Sequence, residues 1–597
     1  MKNCTRYLFL IIFTPIFTFA ALPPGEGGVE AIAPPSEYNL ERFAVKRDIE
    51  ALTHNLAGEN ISLADGMLTF SVTDLSIKTN SSIPVNITRT YNRLAGKNDK
   101  SPAQFGDWEL ELPRIEGTYL KGTNRYTSNY YSSTACSRAL SPGPISFYGD
   151  VYEQHEYWNG ADVNIPGASG KLLRSAGQHR YKTKSNASIT CGIENGNEFF
   201  IVKTSNGLTY TLAHRIEKRG LPLVKTKPAQ RSKLLYVATA VEDKFGNVIH
   251  YEFNGSNLDK IRYQPADSAS KEELVSFSYE TQGRISQIVS HNRVWEYLYE
   301  KNYVNYNLTE VILPSGQSWE YQFPEFIDYA SKINVASGRH AHDCAYSHTS
   351  PVRGPNNSLH IKHPSGANVS FSYELRVHGR TEVPARQQVN NRQGIPINYN
   401  ACYANLSITQ KSINFNDIEY SWEYDYSNNY AHFDATGLSS RPFQKGIAIL
   451  GDKKESTCRA KSDCVNIPKD LGMTPYDLRV LTITEPDNSN IVSYISKRWD
   501  ETDGQVIAQI KHSPNEIVKE RTLTTYWKSN LKGQSEITDP LLTTNTDTIS
   551  YAVKEESVNQ QVNGDTFVRT YLYNLNSSIK CNHYAATRTS DCPVNNS

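Results

Sequence analysis

The sequence has no excess of charge of either sign. Its 597 residues contain 62 Lys and Arg against 62 Asp and Glu, so the formal net charge at pH 7 is zero. No basic stripe and no long run of like charges is present. Because proteins bind nucleic acids mainly through basic surfaces that neutralise phosphates, this composition argues against a nucleic-acid partner.

Long apolar runs are also missing after the first twenty residues. A membrane-spanning helix takes about 20 apolar residues, and no stretch of the chain reaches that length, so we predict no transmembrane anchor. Residues 1–20 instead combine Lys2 and Arg6 with a short apolar segment at 8–19 and small residues at Ala20 and Ala21. This is the pattern of a cleaved secretory signal. We therefore predict a secreted protein, located in the periplasm, on the outer surface or outside the cell.

Familiar catalytic and cofactor motifs are absent too. The sequence contains no G-x-S-x-G, no H-E-x-x-H and no Walker loop. The segment GASGKL at 167–172 lacks the upstream glycine and the hydroxyl after lysine that phosphate and magnesium binding require. We therefore expect no enzyme activity and no cofactor.

One segment contains residue types that bind metals. His340, His342, Cys344 and His348 lie close together, and imidazole and thiolate are good zinc ligands. The alternative is an exposed loop in which Cys344 is held by a disulfide. We favour the loop and predict no metal site.

The chain contains nine cysteines, of which Cys4 lies in the predicted signal. The remaining even number suits an oxidising compartment, where cysteines form disulfides. Proximity in the sequence suggests four pairs: Cys136 with Cys191, Cys344 with Cys402, Cys458 with Cys464, and Cys581 with Cys592. Eight cysteines allow 105 connectivities, and free buried thiols are the alternative.

The most regular feature of the sequence is a repeated unit phased on glycines. Gly246, Gly316 and Gly366 each lie in a polar segment, where a chain reversal often needs the positive φ that glycine adopts freely. Large apolar residues follow at the same three offsets with a period of two, which predicts strands with one buried face. They are Ile249, Tyr251 and Phe253; Trp319, Tyr321 and Phe323; and Val369, Phe371 and Tyr373. Since one unit cannot bury its face alone, the repeat predicts a long continuous sheet.

Two sets of segments carry a family resemblance. Residues 243–251 read DKFGNVIHY, which is similar to the repeat unit of the Rhs, or YD-repeat, family. ADGMLTFSVTDLSI at 64–77, SIPVNITRTYN at 82–92 and FGDWELELPRIEG at 105–117 resemble the blocks that open bacterial Rhs-type proteins. The resemblance implies repeats wound into a large hollow β shell, which in the toxin members encloses a C-terminal toxin. The chain departs from these members because Asp539-Pro540 lacks the family's core-motif context, and we expect no separate catalytic domain after the repeats.

Together these features predict an all-β fold. We expect a repetitive wound β-sheet, a YD-repeat shell or partial shell, with irregular disulfide-bearing insertions and one short N-terminal helix. The 37 tyrosines suit strands that are apolar on one face and wet at the other end. The expected parts are a signal peptide (1–20), a linker (21–39), a helix (40–56), a first Rhs-type β block (57–118), an insertion (119–197), the YD-type repeats (198–375), a second insertion (376–475), and further β repeats with a polar C-terminus (476–597).

Two functions remain open from the sequence. The first is a secreted Rhs-type scaffold without a toxin domain of its own, whose partner is a toxin or effector chain. The second is a secreted protein that binds a cell-surface ligand, carbohydrate or protein, with exposed rows of aromatic residues. The position of the aromatic side chains separates the two. Buried rows favour the scaffold, and an exposed row favours the binding protein.

Overall fold

A computed structural model describes the greater part of the chain between residues 55 and 572. The described residues are 55–91, 104–120, 136–137, 145–147, 150–152, 161–174, 180–183, 185, 187–219, 223–224, 228–229, 231–301, 306–323, 358–382, 402–427, 449–450, 465–466, 473, 477–498, 502–515, 517–526, 553–562 and 565–572. The predicted signal peptide and linker lie outside this set. So does the predicted helix, apart from residues 55 and 56, which belong to a turn.

The described residues are built from strands, which are numbered here in chain order. The first are β1 (Glu59–Ile61), β2 (Leu68–Ile77), β3 (Val85–Tyr91), β4 (Glu109–Leu110), β5 (Arg114–Leu120), β6 (Ile145–Phe147), β7 (Asp150–Tyr152), β8 (Ala161–Asn164), β9 (Gly170–Lys171), β10 (Leu173–Arg174), β11 (Arg180–Lys182), β12 (Ser188–Glu194) and β13 (Asn197–Lys203). Next come β14 (Thr209–Leu212), β15 (His214–Arg219), β16 (Leu223–Val224), β17 (Pro228–Ala229), β18 (Arg231–Val237), β19 (Ala240–Glu242), β20 (Val248–Asn254), β21 (Asn257–Gln264), β22 (Glu272–Tyr279), β23 (Ile285–Ser290), β24 (Arg293–Lys301), β25 (Tyr306–Ile312) and β26 (Ser318–Gln322). The last are β27 (Ser358–Lys362), β28 (Asn368–Gly379), β29 (Cys402–Phe415), β30 (Ile418–Ser427), β31 (Ile449–Leu450), β32 (Val465–Asn466), β33 (Leu478–Thr484), β34 (Asn490–Ser496), β35 (Val506–His512), β36 (Val518–Tyr526), β37 (Val553–Val562) and β38 (Asp565–Leu572).

Most of these strands belong to one antiparallel sheet of 23 strands, called here the long sheet. Its order is β10 to β14, β19 to β30, and β33 to β38. Strands β1 to β4 form a separate four-stranded sheet, and β15, β18, β5, β8 and β9 form a five-stranded one. The prediction of an all-β protein with a large antiparallel sheet is confirmed. Among the residues that the structure describes, no helix is long and apolar enough to cross a membrane.

A three-residue turn recurs along the long sheet. Counting the two residues that flank the turn, each example has five residues. The N–H of the first residue donates to the carbonyl of the fifth, and the N–H of the fourth residue, which has a positive φ, donates to the carbonyl of the first. This is a type I turn followed by a residue in the left-handed conformation. Where all five residues are described, the turns of this kind are 204–208, 243–247, 280–284, 313–317, 363–367 and 485–489. The three glycines that phase the sequence repeat occupy the fourth position, at φ 90°, 82° and 90° for Gly246, Gly316 and Gly366.

The connections between strands are divided unevenly between the two ends of the long sheet. Because neighbouring strands are antiparallel and mostly consecutive in the chain, successive connections alternate between the ends. At one end all connections within the described order are short turns. The long ones, which all lie at the other end, are 213–239, 323–357, 380–401, 428–477 and 527–552. The sheet itself continues through the range expected as a second insertion, since β29 and β30 pair with each other inside it.

The φ angle of Gly316 makes a direct test of these turns possible. A Cβ added there would meet no atom within 4 Å, so the effect of Gly316→Ala comes from φ +82 alone. We expect the free energy of unfolding to fall by about 1–2 kcal/mol, measured by chemical denaturation. The matched control is Asn488, which holds the same turn position at φ 64. Asn488→Gly should change stability by less than about 1 kcal/mol. Equal effects of the two substitutions would contradict the expectation.

Candidate functional site

The aromatic residues predicted from the glycine repeat lie on the long sheet and face its core. Tyr251 and Phe253 are on β20, Trp319 and Tyr321 on β26, and Phe371 and Tyr373 on β28. Tyr251, Trp319, Tyr321, Phe371 and Tyr373 are buried, while Phe253 and Phe323 are half-buried and packed against the same core. The shared offsets from glycine predict that Tyr251, Tyr321 and Phe371 stack in neighbouring units of the repeat. That is wrong for Tyr251, because strands β21 to β25 separate it from Tyr321, whereas only β27 lies between Tyr321 and Phe371. The turns before these strands do not repeat the offsets from glycine that Gly246, Gly316 and Gly366 share, so the sequence pattern did not reveal the strands.

The four-stranded sheet covers part of this aromatic row. Phe70 of β2 lies with its ring centroid 5.4 Å from that of Phe371 and 5.6 Å from that of Phe323. Trp108, just before β4, lies 5.0 Å from Tyr321. Edge-to-face and tilted contacts of this kind stabilise beyond the burial of apolar area. We call this contact surface between the four-stranded sheet and the long sheet the seam.

An ion pair is buried at the centre of the seam. The Arg89 Nε donates to Asp74 Oδ2 at 2.8 Å, and the two side chains are 0% and 1% exposed. The Tyr297 hydroxyl of the long sheet donates to the same carboxylate oxygen at 2.9 Å. The Arg89 guanidinium also lies over the rings of Trp108 and Tyr321, 4.9 and 5.0 Å from their centroids, which adds cation–π attraction.

Electrostatics keep these groups in one protonation state. Burial lowers the pKa of Arg89, but the charge of Asp74 raises it, and the resulting pKa lies above the ordinary value. Burial raises the pKa of Tyr297 well above its usual value, and the Asp74 charge raises it further. Arg89 therefore remains charged and Tyr297 remains a neutral donor. Because neither group changes its charge near neutral pH, the arrangement suits a structural junction rather than proton transfer.

The sequence contains signals for both charged residues. In β3, Val85, Ile87, Arg89 and Tyr91 share the buried face, so the two-residue period already places Arg89 inside. Asp74 breaks the period because a register shift between Thr73 and Leu75 inserts it as an extra residue. Such a β-bulge re-aims a side chain. The family resemblance of these segments did not indicate the ion pair.

A second buried ion pair joins β1 to the long sheet. Glu59 and Lys411 are each 3% exposed and form a salt bridge. The Ala57 N–H donates to Glu59 Oε2 at 3.0 Å, and the Lys411 Nζ lies 4.6 Å from the centroid of the Trp422 ring. Removing either partner would leave an uncompensated charge in the core. The four-stranded sheet is thus held in a defined register on the long sheet.

Backbone contacts also cross the seam. The Leu308 N–H donates to Asp107 Oδ1 at 2.8 Å, and the Ile408 N–H donates to the Gly66 carbonyl at 3.0 Å. Gly66 has φ +71, and a Cβ there would lie 2.5 Å from the Tyr426 hydroxyl oxygen. Only glycine fits this approach.

One of the predicted disulfides lies among the described residues. Cys136 and Cys191 are joined by it, with their Cα atoms 5.6 Å apart. Glu198 accepts hydrogen bonds from the backbone N–H groups of Cys136 and Ser137. Cys402 begins β29, but its side chain is not among those described. The remaining cysteines lie outside the described residues: Cys344, Cys458, Cys464, Cys581 and Cys592. Their pairing stays a prediction.

The candidate metal ligands of the sequence, His340, His342, Cys344 and His348, also lie outside the described residues. Within the described ranges, no group of three or more His, Cys, Asp or Glu side chains is arranged to hold a metal ion.

Comparison with known proteins finds weak structural similarity only. No family model matches the chain, and no curated protein matches it. The N-terminal domain of effector protein SpvB from Salmonella typhimurium strain LT2 is 13% identical, with a TM-score of 0.21, over 40% of this chain and 98% of that one. A TcdB2-TccC3 structure is 10% identical, with a TM-score of 0.25, over 86% of this chain and 35% of that one. A porin-like protein from Bacteroides uniformis is 9% identical, with a TM-score of 0.17. Scores at this level carry no argument about function.

Proposed function

We propose that the protein is a secreted scaffold of the Rhs or YD-repeat type, which resembles the shell part of polymorphic toxins. The observation that carries the proposal is the buried seam. Part of the aromatic row of the long sheet is covered by the first β block, which is held in place by ion pairs at Arg89 and Lys411. Aromatic side chains that are buried in this way stabilise the packing of the two sheets, as a scaffold requires.

The alternative, a binding protein that uses an exposed aromatic row, receives less support. Aromatic side chains that recognise a sugar or a protein must be accessible in the free protein. Among the described residues, only two of the exposed large apolar side chains are aromatic, Phe245 and Tyr420. They lie far apart in the strand order, since Phe245 is in the turn after β19 and Tyr420 is on β30.

The resemblance to the family supplies the partner in this proposal. We propose that the scaffold acts with a toxin or effector chain. The secretory signal pattern at residues 1–20 supports export of this chain, and we propose that it meets its partner outside the cytoplasm. Disulfides beyond Cys136–Cys191 belong to the same proposal, since an exported chain meets oxidising conditions.

The proposal is tested by expressing the full chain with the product of the reading frame immediately downstream in its source genome. We expect the exported chain to begin near Ala21 or Leu22 by N-terminal sequencing, to co-purify with that product and to shield it from added protease. As a control, the downstream product is exported to the periplasm without this chain and treated with the same protease. Full-length chain confined to the cytoplasm would refute export. Exported chain that leaves the product unbound and fully cleaved would refute the scaffold role.

A further inference from the structure

A buried histidine lies where the turn between β1 and β2 meets the long sheet. This turn, residues 62–67, is closed by hydrogen bonds from Gly66 N–H to the Ser62 carbonyl at 2.7 Å and from Ser62 N–H to the Met67 carbonyl at 2.9 Å. Three groups of the long sheet bind its backbone. Ser407 Oγ donates to the Asp65 carbonyl at 2.7 Å, Ile408 N–H donates to the Gly66 carbonyl, and the Arg479 guanidinium donates to the Ala64 carbonyl.

His378 of β28 supports the first of these contacts. It is 0% exposed, and its Nε2 lies 2.9 Å from Ser407 Oγ. Because the hydroxyl hydrogen of Ser407 is directed at the Asp65 carbonyl, the hydroxyl oxygen accepts the bond from His378 Nε2–H. The Tyr426 ring meets the imidazole edge to face, with centroids 6.2 Å apart. The neutral imidazole therefore completes a chain of hydrogen bonds from β28 to the turn.

The charges around His378 are mainly positive. Arg376 precedes it on β28, and Arg380 directly follows the end of that strand. Arg479 approaches from β33 and also donates to the Gly379 carbonyl at 3.2 Å. The nearby carboxylates serve other partners, since Asp503 pairs with Arg380 and Asp477 accepts from the Thr381 hydroxyl at 2.7 Å. Glu374 pairs with Arg376 at the exposed side of the strand. The Asp65 carboxylate accepts from the Met67 N–H of its own turn.

We propose that this junction is an acid-sensitive latch, in which protonation of His378 releases the turn at 62–67 from the long sheet. Protonation would place a positive charge beside three guanidinium groups in a buried site, where no solvent screens the repulsion. The imidazolium would also lack the hydration that stabilises a charged group in water. Release of the turn relieves both effects, because it admits water to the imidazole and frees Ser407 from the Asp65 carbonyl. The seam would then open from the edge where β1 ends and β2 begins.

The direction of the pH dependence follows from the geometry. Burial, and next the charges of Arg479, Arg376 and Arg380, hold the pKa of His378 well below its ordinary value of 6.5. The opened junction exposes the imidazole and returns its pKa towards 6.5. The stability of the closed junction is therefore complete above about pH 6.5 and declines as the pH falls towards the lower pKa of the closed state.

Hydrogen exchange of the full chain tests the latch. Exchange is measured between about pH 7.5 and about pH 5 and corrected for the intrinsic rate of each amide. In the wild type we expect the amides of Gly66 and Ile408 to lose at least tenfold in protection as the pH falls, while amides in β20 to β22 keep theirs. In His378→Asn, whose amide can donate to Ser407 and does not titrate, protection at Gly66 and Ile408 should not depend on pH.

Two further variants keep the test decisive. His363→Asn is the matched control, since His363 is a half-buried histidine packed on Trp319 and lies at the opposite end of β28 from His378. It should behave as the wild type. Ser407→Ala keeps His378 but removes its acceptor, and it should lose protection at a higher pH than the wild type, which tests the latch even when His378→Asn does not fold. The proposal is overturned when the Gly66 amide and the amides of β20 to β22 lose protection together. It is equally overturned when His378→Asn follows the wild-type pH profile.

Discussion

Arg89→Met is expected to lower the free energy of unfolding by about 3–5 kcal/mol. The substitution keeps much of the side-chain volume but removes the charge. Asp74 is 1% exposed and would remain as a buried carboxylate with the Tyr297 hydroxyl as a remaining donor. The lost cation–π contacts with Trp108 and Tyr321 add to the effect. Chemical denaturation of the variant and the wild type at neutral pH provides the measurement.

The matched control is an ion pair of the same kind on the surface. Lys362 and Glu320 pair at 2.7 Å but are 50% and 40% exposed, so Lys362→Met should change stability by no more than about 1 kcal/mol. The double variant Arg89→Met with Asp74→Leu should be more stable than Arg89→Met alone, because it leaves no uncompensated charge. An Arg89→Met variant as stable as the Lys362→Met control would contradict the role assigned to the buried pair.

Tyr321→Ala is the second substitution with a large expected effect. The ring is 3% exposed and lies 5.0 Å from Trp108 and 5.6 Å from Phe323, so truncation leaves a cavity at the centre of the seam. Substitutions of large buried side chains by alanine lower the free energy of unfolding by about 3–5 kcal/mol. Gln322, the next residue, is exposed and serves as the control. Gln322→Ala should change stability by less than about 1 kcal/mol.

The same pair of variants separates the two candidate functions. Each variant is compared with the wild type for thermal stability and for binding to a glycan array and to whole cells. A scaffold role predicts that Tyr321→Ala lowers the melting temperature strongly and that Gln322→Ala does not. If Tyr321→Ala leaves the melting temperature unchanged but abolishes binding, the aromatic row is a recognition face and the scaffold proposal fails.

The local elements of the fold were predictable because their signals are local. Alternation of apolar residues places one face of a strand inside, and a glycine at the fourth turn position relieves the steric conflict at positive φ. Both signals lie within a few residues, as at Gly316 and Tyr321. The same logic weakens where the turn chemistry changes. Asn488 takes the position of the glycine, and His291 and Asn292 form a turn at positive φ without any glycine.

The candidate site was predictable only in part. The two-residue period assigns Arg89 to the buried face of β3, but the partner that neutralises its charge is Asp74, which a bulge turns inward. A bulge is an extra residue in one strand relative to its neighbour, so it is defined by the pairing and not by one strand's sequence. His378 carries no sequence signal at all, because its surroundings come from the turn at 62–67, β29 and β33.

The sequence by itself determined that the chain forms many short strands, where several of their turns lie and which side chains of each strand face inward. Only the tertiary structure decided how the strands are ordered and what covers them. It separates Tyr251 from Tyr321 by five strands, and it places Trp108 and Arg89 on Tyr321, more than two hundred positions away in the chain. Periodicity and turn geometry depend on neighbouring residues, whereas contacts across a sheet depend on the packing of distant segments. Because closing a longer loop adds little further entropy cost, separation along the chain hardly restricts which of these segments meet.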